Sequence, residues 1–332
     1  MAGGGALKFK PLFESELGLT FVPQDELGTV IQGMAYMVDN VEGQCYTMKE
    51  GADRPPSNGL SLVRSPSLAP LRQEHLHVKS MEELFPFLLC NIGTGVSIVR
   101  VNSVTEFKRV SGTALGGGTF LGLCRLLTQA KSFDDAMDLA DVGDSNKVNM
   151  LVSDIYGGDL KKFGLPGDFT ASFFAKNVMD SSSHAREGLT DSDIAKSLCT
   201  MIAQNVTQIA HLNARLHGIK RVFFTGNFLR HNDTAARTIV QQMTRWNKLA
   251  MADTLGDEKV TDVNAYFFTH EGFFGAIGAL IRNKVSRVES PRLAPSDGPG
   301  AVPQKMDLGA PAAKEAKPSA GSFGTYKRWK HG

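Results

Sequence analysis

Cysteine is scarce in this sequence, and its four copies lie far apart. None of them forms a C-x-x-C pair within the 332 residues, so neither a zinc ribbon nor a thioredoxin-like centre is indicated. The four positions are Cys45, Cys90, Cys124 and Cys199. We expect them to be reduced thiols that are buried as small hydrophobic side chains. No metal site built from the protein's own side chains is predicted.

Long apolar runs are missing as well. Hydrophobic segments such as residues 85–90 are far shorter than the roughly 20 residues that a membrane-spanning helix needs. The first 14 residues carry no basic segment followed by an apolar stretch, which argues against a secretory signal. The sequence therefore predicts a cytoplasmic protein that has no membrane partner.

A strong charge of either sign is the third absence. The formal net charge is +2, and residues 284–332 hold nine Lys/Arg against four Asp/Glu, which leaves −3 for residues 1–283. A mildly acidic globular part argues against binding of nucleic acid. The last segment is rich in proline, alanine and glycine without a sustained apolar period, so it cannot build a core. We predict one folded domain over residues 1–283 and a disordered basic tail over residues 284–332.

Short apolar runs alternate with helical patterns in the predicted domain, which favours an α/β fold. A helix is predicted from Asp191 to Leu216, and Asp144 is expected to cap another helix that continues to Ile155. The proline-rich stretch between Glu50 and Arg72 is expected to connect two strands. The predicted strands are Phe87–Cys90, Val96–Val101, Arg221–Thr225 and Ala265–Thr269.

A glycine-containing turn lies between the first two of these strands. It places Gly93 and Gly95 beside the hydroxyls of Thr94 and Ser97, so that backbone amides can approach a phosphate closely. An ordinary hairpin that contains glycine is the alternative interpretation of this turn. Taken alone, the pattern does not decide between the two.

Two further glycine turns precede helical patterns. Consecutive glycines before the pattern of residues 120–127 indicate free amides at the positive end of a helix dipole, where an anion binds. Neither Walker nor Rossmann spacing is present. The turn after Arg221–Thr225 can accommodate a nucleoside, although such turns also connect elements in any α/β protein. With the first turn, they predict these phosphate- and nucleotide-binding residues: Gly93, Gly95, Gly116, Gly117, Gly118, Thr119, Gly226 and Asn227.

Five ordered segments resemble the eukaryotic-type (type II) pantothenate kinases over roughly residues 2–282. They are NIGTGVSIVRV, FKRVSGTALGGGTFLGLCRLLT, GDSNKVNMLVSDIYGGDLKKFGLPG, VFFTGNFLR and THEGFFGAIGALI. The resemblance implies the actin-like ATPase fold of acetate and sugar kinases, Hsp70 and actin, with two α/β lobes around a nucleotide cleft. It also implies a homodimer that uses ATP and Mg²⁺ to phosphorylate pantothenate to 4'-phosphopantothenate, the first step of coenzyme A biosynthesis.

The resemblance assigns roles to individual side chains. Glu26 matches the family's catalytic base, and a carboxylate suits that role because it accepts the proton of the substrate hydroxyl. Thr94 stands where the family commonly has serine, Ser97 matches directly, and Arg109 matches an arginine that also contacts acyl-coenzyme A. Trp246 matches an aromatic residue near the dimer and effector pocket, although core packing is the usual role of a lone tryptophan.

Two departures from the family qualify this expectation. His211 replaces a common arginine, which affects effector contacts. Active family members also carry an earlier D-x-G-G-T turn that holds the nucleotide phosphates, and this sequence shows none. We therefore expect mainly the second lobe of the fold, with weak or no turnover. The alternatives are a dimerising, catalytically weak or inactive module that senses acyl-coenzyme A or free coenzyme A, and another sugar or acetate kinase of the superfamily.

Overall fold

In the residues that the structure describes, nine strands form two sheets. The structure is a computed structural model, and it describes residues 4–18, 20, 22–50, 71–178, 187–252, 262–270 and 272–289. The two short strands β6 (Met150–Leu151) and β7 (Thr170–Ser172) pair with each other. The other seven strands are β1 (Cys45–Glu50), β2 (Leu71–His75), β3 (Phe87–Ile92), β4 (Val96–Val101), β5 (Phe107–Thr113), β8 (Arg221–Thr225) and β9 (Asn264–Phe268).

The large sheet is mixed, with the strand order β2-β1-β9-β8-β3-β4-β5. Strands β3, β8 and β9 run parallel at its centre, and the remaining pairs are antiparallel. All four predicted strands are confirmed to within two residues at their ends. The stretch after Glu50 does connect two strands, because Glu50 pairs with Leu71; residues 51–70 lie outside the described residues.

Helices pack on both faces of this sheet, which confirms the predicted α/β class. Helices α2 and α8 pack along each other on one face, and α6 packs with α3, α4 and α7 on the other. The helices are α1 (Gly4–Leu17), α2 (Glu26–Asn40), α3 (Gly117–Leu127), α4 (Phe133–Val142), α5 (Val152–Tyr156), α6 (Asp191–Leu216), α7 (Asp233–Ala252) and α8 (Phe274–Glu289).

One predicted helix start is confirmed and the other is wrong. Helix α6 begins at Asp191, and the Thr190 side chain caps it by accepting a hydrogen bond from the amide of Asp193 at 3.2 Å. Asp144 caps only a single 3₁₀ turn over Ser145–Lys147. The predicted helix does not form there because Met150 and Leu151 pair with β7 instead. Pairing across the chain has overridden a local helical pattern.

The core consists of two clusters, one on each face of the sheet. Along β8, Val222 and Phe224 belong to the cluster beneath α6 and α7, whereas Phe223 belongs to the cluster beneath α2 and α8. A strand that is buried on both faces reads as a continuous apolar run, as this one does. All four cysteines are buried and unpaired, and burial raises the pKa of Cys45 to about 12.

The last described helix extends past the predicted domain boundary. Helix α8 continues to Glu289, six residues past the boundary that the sequence predicts at residue 283. The remainder of the predicted tail, residues 290–332, lies outside the described residues. Among the helices that are described, none is both long and apolar enough to cross a membrane.

Candidate active site

The turn between β3 and β4 carries free backbone amides. The amide of Gly93 donates to the carbonyl of Gly95 at 2.9 Å and so closes the turn. Within the part of the chain that the structure describes, the amides of Thr94 and Gly95 make no hydrogen bond. Two adjacent free amides can bind an anion. This turn therefore has two amides available to an anion, and phosphate binding there stays a prediction.

The start of α3 supports this turn, and two of the amides that the sequence predicts to be free there are occupied. Gly117 donates its amide to the carbonyl of Gly93 at 2.8 Å, and Gly118 donates to the carbonyl of Thr94 at 3.0 Å. The hydroxyl of Thr119 donates to the carbonyl of Ala114. The prediction of free amides at positions 117 and 118 is thus wrong, because the carbonyls of the preceding turn occupy them.

Gly116 shows why glycine is required at this contact. A Cβ atom on Gly116 would lie 2.7 Å from the carbonyl oxygen of Thr94, closer than side-chain carbons approach backbone oxygens. The glycine run therefore lets α3 approach the turn closely. The four residues from Gly116 to Thr119 line neither of the two cavities described next.

The first cavity has a volume of about 660 Å³ and opens beside the turn. It brings together the predicted base and the predicted substrate-binding residues, which come from α2, the turn, β4 and β5. Its lining includes Glu26, Asn91, Thr94, Ser97, Arg109 and Thr113. A volume of this size is ordinary for a small-molecule site.

Arg109 is held over the cavity by β4. Its Nε donates to Oγ of Ser97 at 3.3 Å. A bulge leaves Val110 without a partner, so that Arg109 pairs with Val99 and shares its face of the sheet. Gly112 leaves room for the guanidinium, because a Cβ atom there would lie 2.2 Å from Nη2 of Arg109. The structure thus brings Ser97 and Arg109 into contact at this cavity, and their role in substrate binding stays a prediction.

A second cavity of about 680 Å³ lies at the carboxyl ends of β3 and β8. Gly226 and Asn227 line it, as does the start of α8 with Gly275 and Ala276. Gly226 has φ +107°, and a Cβ atom there would lie 2.4 Å from the carbonyl oxygen of Ile92. Only glycine permits that approach. Crevices at strand carboxyl ends are the usual ligand sites of open α/β sheets.

The two cavities share Glu26, Asn91 and Gly93. Glu26 is the one carboxylate and Arg109 the one cation among the described residues that line either cavity. Glu26 is the first residue of α2, and it follows Asp25, whose Oδ2 accepts the amide of Gly28 at 2.6 Å. The base predicted by resemblance therefore lies where the two cavities meet.

Close contact between α2 and α8 fixes this position. A Cβ atom on Gly278 would lie 1.8 Å from the carbonyl oxygen of Thr29, and one on Gly33 would lie 2.0 Å from that of Phe274. Small residues such as Gly275, Ala276, Gly278 and Ala279 suit close helix packing. Gly278 makes such a contact, whereas the other three line the second cavity.

Sequence reasoning missed Asn91 and the residues at the start of α8 as parts of the site. Asn91 directly precedes the glycine turn, and its Oδ1 accepts the hydroxyl of Thr225 at 3.5 Å. Its position at the end of a buried strand was an available signal. The start of α8 offered none, because its glycines fit helix packing equally well.

Trp246 and His211 lie away from both cavities. Trp246 on α7 packs edge-to-face against Phe169, with 5.8 Å between ring centroids. His211 on α6 is buried, and its Nε2 lies 3.0 Å from Oδ1 of Asn247. Burial lowers the pKa of His211, and the nearby charge of Arg215 lowers it further, while the contact with Asn247 opposes the shift.

Known proteins similar to this chain include two plant enzymes. The chain is 38% identical over 279 residues to pantothenate kinase 1 of Arabidopsis thaliana, covering 84% of this chain and 64% of that protein. It is 37% identical over 283 residues to pantothenate kinase 2 of Oryza sativa subsp. japonica, covering 84% of this chain and 27% of that protein.

A third relative carries a different name, 4'-phosphopantetheine phosphatase of Mus musculus. The chain is 36% identical to it over 280 residues, which cover 84% of this chain and 30% of that protein. The chain thus spans between about a quarter and two thirds of these relatives. A family model described as Fumble matches residues 1–282. The chain therefore belongs to the Fumble family, in agreement with its resemblance to the eukaryotic-type pantothenate kinases.

Proposed function

We propose that this chain acts in the ATP-dependent phosphorylation of pantothenate to 4'-phosphopantothenate, as a pantothenate kinase of the actin-like ATPase superfamily. The position of Glu26 at the meeting point of two cavities carries the proposal. A kinase needs its base beside the acceptor hydroxyl at the point where that hydroxyl meets the nucleotide, because the proton leaves as the phosphoryl group arrives. Relatives named pantothenate kinase support the choice of alcohol.

Pantothenate occupies the first cavity in this proposal. Its carboxylate and amide oxygens suit Arg109, whose planar fork makes paired hydrogen bonds. The hydroxyls of Thr94 and Ser97 supply further hydrogen bonds at the cavity wall. Glu26 accepts the proton of the primary hydroxyl as its oxygen bonds to the γ-phosphorus of ATP and the bond to ADP breaks.

ATP occupies the second cavity, between the Gly226–Asn227 turn and the start of α8. Thr94 and Gly95, whose amides are free, line the first cavity next to Gly93, which both cavities share; in this proposal they bind the terminal phosphate where it meets pantothenate. Mg²⁺, when bound, neutralises charge on the phosphoryl oxygens. Mg²⁺ binds mainly through phosphates and water, and this fits a site whose described lining has one carboxylate. The amide oxygen of Asn91 would be a further ligand.

A homodimer and feedback by acyl-coenzyme A or free coenzyme A complete the proposal. Large apolar side chains are exposed at Tyr156, Phe163, Leu212 and Leu216, and exposed apolar patches typically mark a protein interface. An effector that contacts Arg109 would compete with pantothenate for the first cavity. Four buried, unpaired thiols suit the reducing cytoplasm.

The test compares Glu26→Gln with Asp233→Asn. Both residues are exposed acidic first residues of a helix, so both variants lose the same interaction with the helix dipole. Only Glu26 lines the cavities. Pantothenate-dependent ADP release is measured in single turnover with the chain in excess, and pantothenate and ADP binding are measured by calorimetry.

We expect Glu26→Gln to lower the rate by about 10²–10⁴-fold, the range for loss of a general base. Its affinity for pantothenate should match that of the unchanged chain, because the base acts in the transition state. Asp233→Asn should behave as the unchanged chain. The proposal fails if the chain binds neither pantothenate nor ADP, or if Glu26→Gln transfers phosphate at the full rate.

A further inference from the structure

A second helix contacts the turn of α2 that begins with Glu26. Nε of Arg282 on α8 donates to Oε1 of Gln32 at 2.9 Å. A Cβ atom on Gly28 would lie 2.4 Å from Nη2 of Arg282 and 2.6 Å from Oδ2 of Asp25. The guanidinium therefore lies directly against the α2 backbone at Gly28. It spans the first two turns of α2 beside the carboxylate that caps that helix.

The same side of α8 also faces the second cavity. Gly275 and Ala279 line that cavity, and Arg282 follows them at helical positions i+7 and i+3, which lie on one face of a helix. Arg282 itself lines neither cavity. One face of α8 thus contacts the proposed nucleotide site at its start and the helix of the base two turns later.

The first turn of a helix needs such support, because its amides have no partners within the helix. Asp25 satisfies the amide of Gly28, yet Asp25 and Glu26 are both exposed. A positive charge next to the capping carboxylate stabilises the cap. Contact with Gln32 ties the following turn to α8.

We propose that Arg282 is a positioning residue, which holds the first turn of α2 so that the Glu26 carboxylate stays between the two cavities. The effect on turnover rests on the proposed function, whereas the effect on the helix start does not. A displacement of about 1 Å at a reacting group can cost 10²-fold in rate. Arg282 acts through α2 and touches no substrate.

Two variants remove the contact in different ways. Arg282→Gln deletes the guanidinium. Gly28→Ala keeps it but displaces it, because the new methyl group would overlap Nη2. Alanine is a better helix former than glycine. If Gly28 mattered only for helix propensity, Gly28→Ala would leave the start of α2 as stable as before or more stable. Leu280→Gln is the control, since Leu280 is 58% exposed on α8.

Hydrogen exchange measures the helix start directly. We expect faster exchange of the amides of residues 28–31 in Arg282→Gln and Gly28→Ala, with α6 unchanged, because local opening exposes those amides. Leu280→Gln should exchange as the unchanged chain. Exchange at residues 28–31 that is as slow in Arg282→Gln as in the unchanged chain overturns the inference, whether or not the chain is active.

Turnover provides the second measurement. We expect kcat to fall about tenfold in both variants while KM for pantothenate stays within about twofold, since only the base is displaced. Arg282→Lys should recover part of kcat, because lysine restores the positive charge but not the paired hydrogen bonds of a guanidinium. Full kcat in Arg282→Gln in an active chain overturns the inference. Faster exchange in a chain without turnover supports the positioning role and counts against the proposed function.

Discussion

Replacement of Gly278 by alanine tests the contact between α8 and α2 that positions Glu26. The new Cβ atom would lie 1.8 Å from the carbonyl oxygen of Thr29 and 2.6 Å from its carbonyl carbon. Both atoms belong to the backbone of α2, so no side-chain rotation can relieve the overlap. The two helices must move apart by more than about 1 Å to reach an ordinary contact distance.

The expected magnitude is the balance of two effects. Overpacking in a closely packed interior costs about 1–3 kcal/mol, and alanine in place of glycine inside a helix returns about 1 kcal/mol. The upper part of the range applies because the obstacle is backbone. We therefore expect Gly278→Ala to lower the free energy of unfolding by about 1–2 kcal/mol.

Equilibrium unfolding in urea provides the assay, with Gly275→Ala as the matched control. Gly275 lies one turn earlier on α8, and a Cβ atom there would be 3.9 Å from Cγ2 of Val30, an ordinary contact. This variant should be as stable as the unchanged chain or more stable by up to about 1 kcal/mol. The reasoning is refuted if Gly278→Ala unfolds at the same urea concentration as Gly275→Ala, with equal slopes.

Three further predictions concern single side chains. Gly112→Ala should raise KM for pantothenate about tenfold in steady-state kinetics, because the new Cβ atom displaces Arg109. Gly122→Ala is the control: a Cβ atom there would have nothing within 4 Å, so KM should not change. Burial lowers the pKa of His211 below 6.5 in the folded chain. As the pH falls below 6.5, the unfolded chain therefore binds more protons than the folded chain, and the free energy of unfolding decreases. His211→Gln should flatten this dependence in urea midpoints between about pH 7 and 5. Asp193→Asn should cost about 1–3 kcal/mol in the same assay, because the buried carboxylate accepts four hydrogen bonds at the start of α6.

Local patterns predicted most of the regular structure. The strands Val96–Val101 and Arg221–Thr225 and the helix from Asp191 could be recognised because apolar side chains repeat at the period of each element. The helix expected after Asp144 failed for the opposite reason. Its residues fit a helical pattern, but Met150 and Leu151 pair with strand residues about 20 positions away. A local pattern cannot predict such a pairing.

Phosphate binding at the β3–β4 turn stays a prediction, and the reasoning from free amides was wrong for two glycines of another turn. Glycines before α3 predicted free amides, and the structure shows the amides of Gly117 and Gly118 bonded to the preceding turn. A glycine run in sequence looks the same whether the close approach is to a ligand or to another part of the backbone. Only the position of the β3–β4 turn distinguishes the two cases.

The sequence by itself determined the α/β class, the family, and the identity of the side chains expected to do chemistry. Composition, periodicity and ordered motifs are properties of the chain as written, so they can be read without a fold. Tertiary structure alone decided that Glu26 lies where two cavities meet, and that Gly278 and Arg282 on α8 hold its helix. Those relations join residues that are some 250 positions apart, and packing of α2 on α8 brings them into contact.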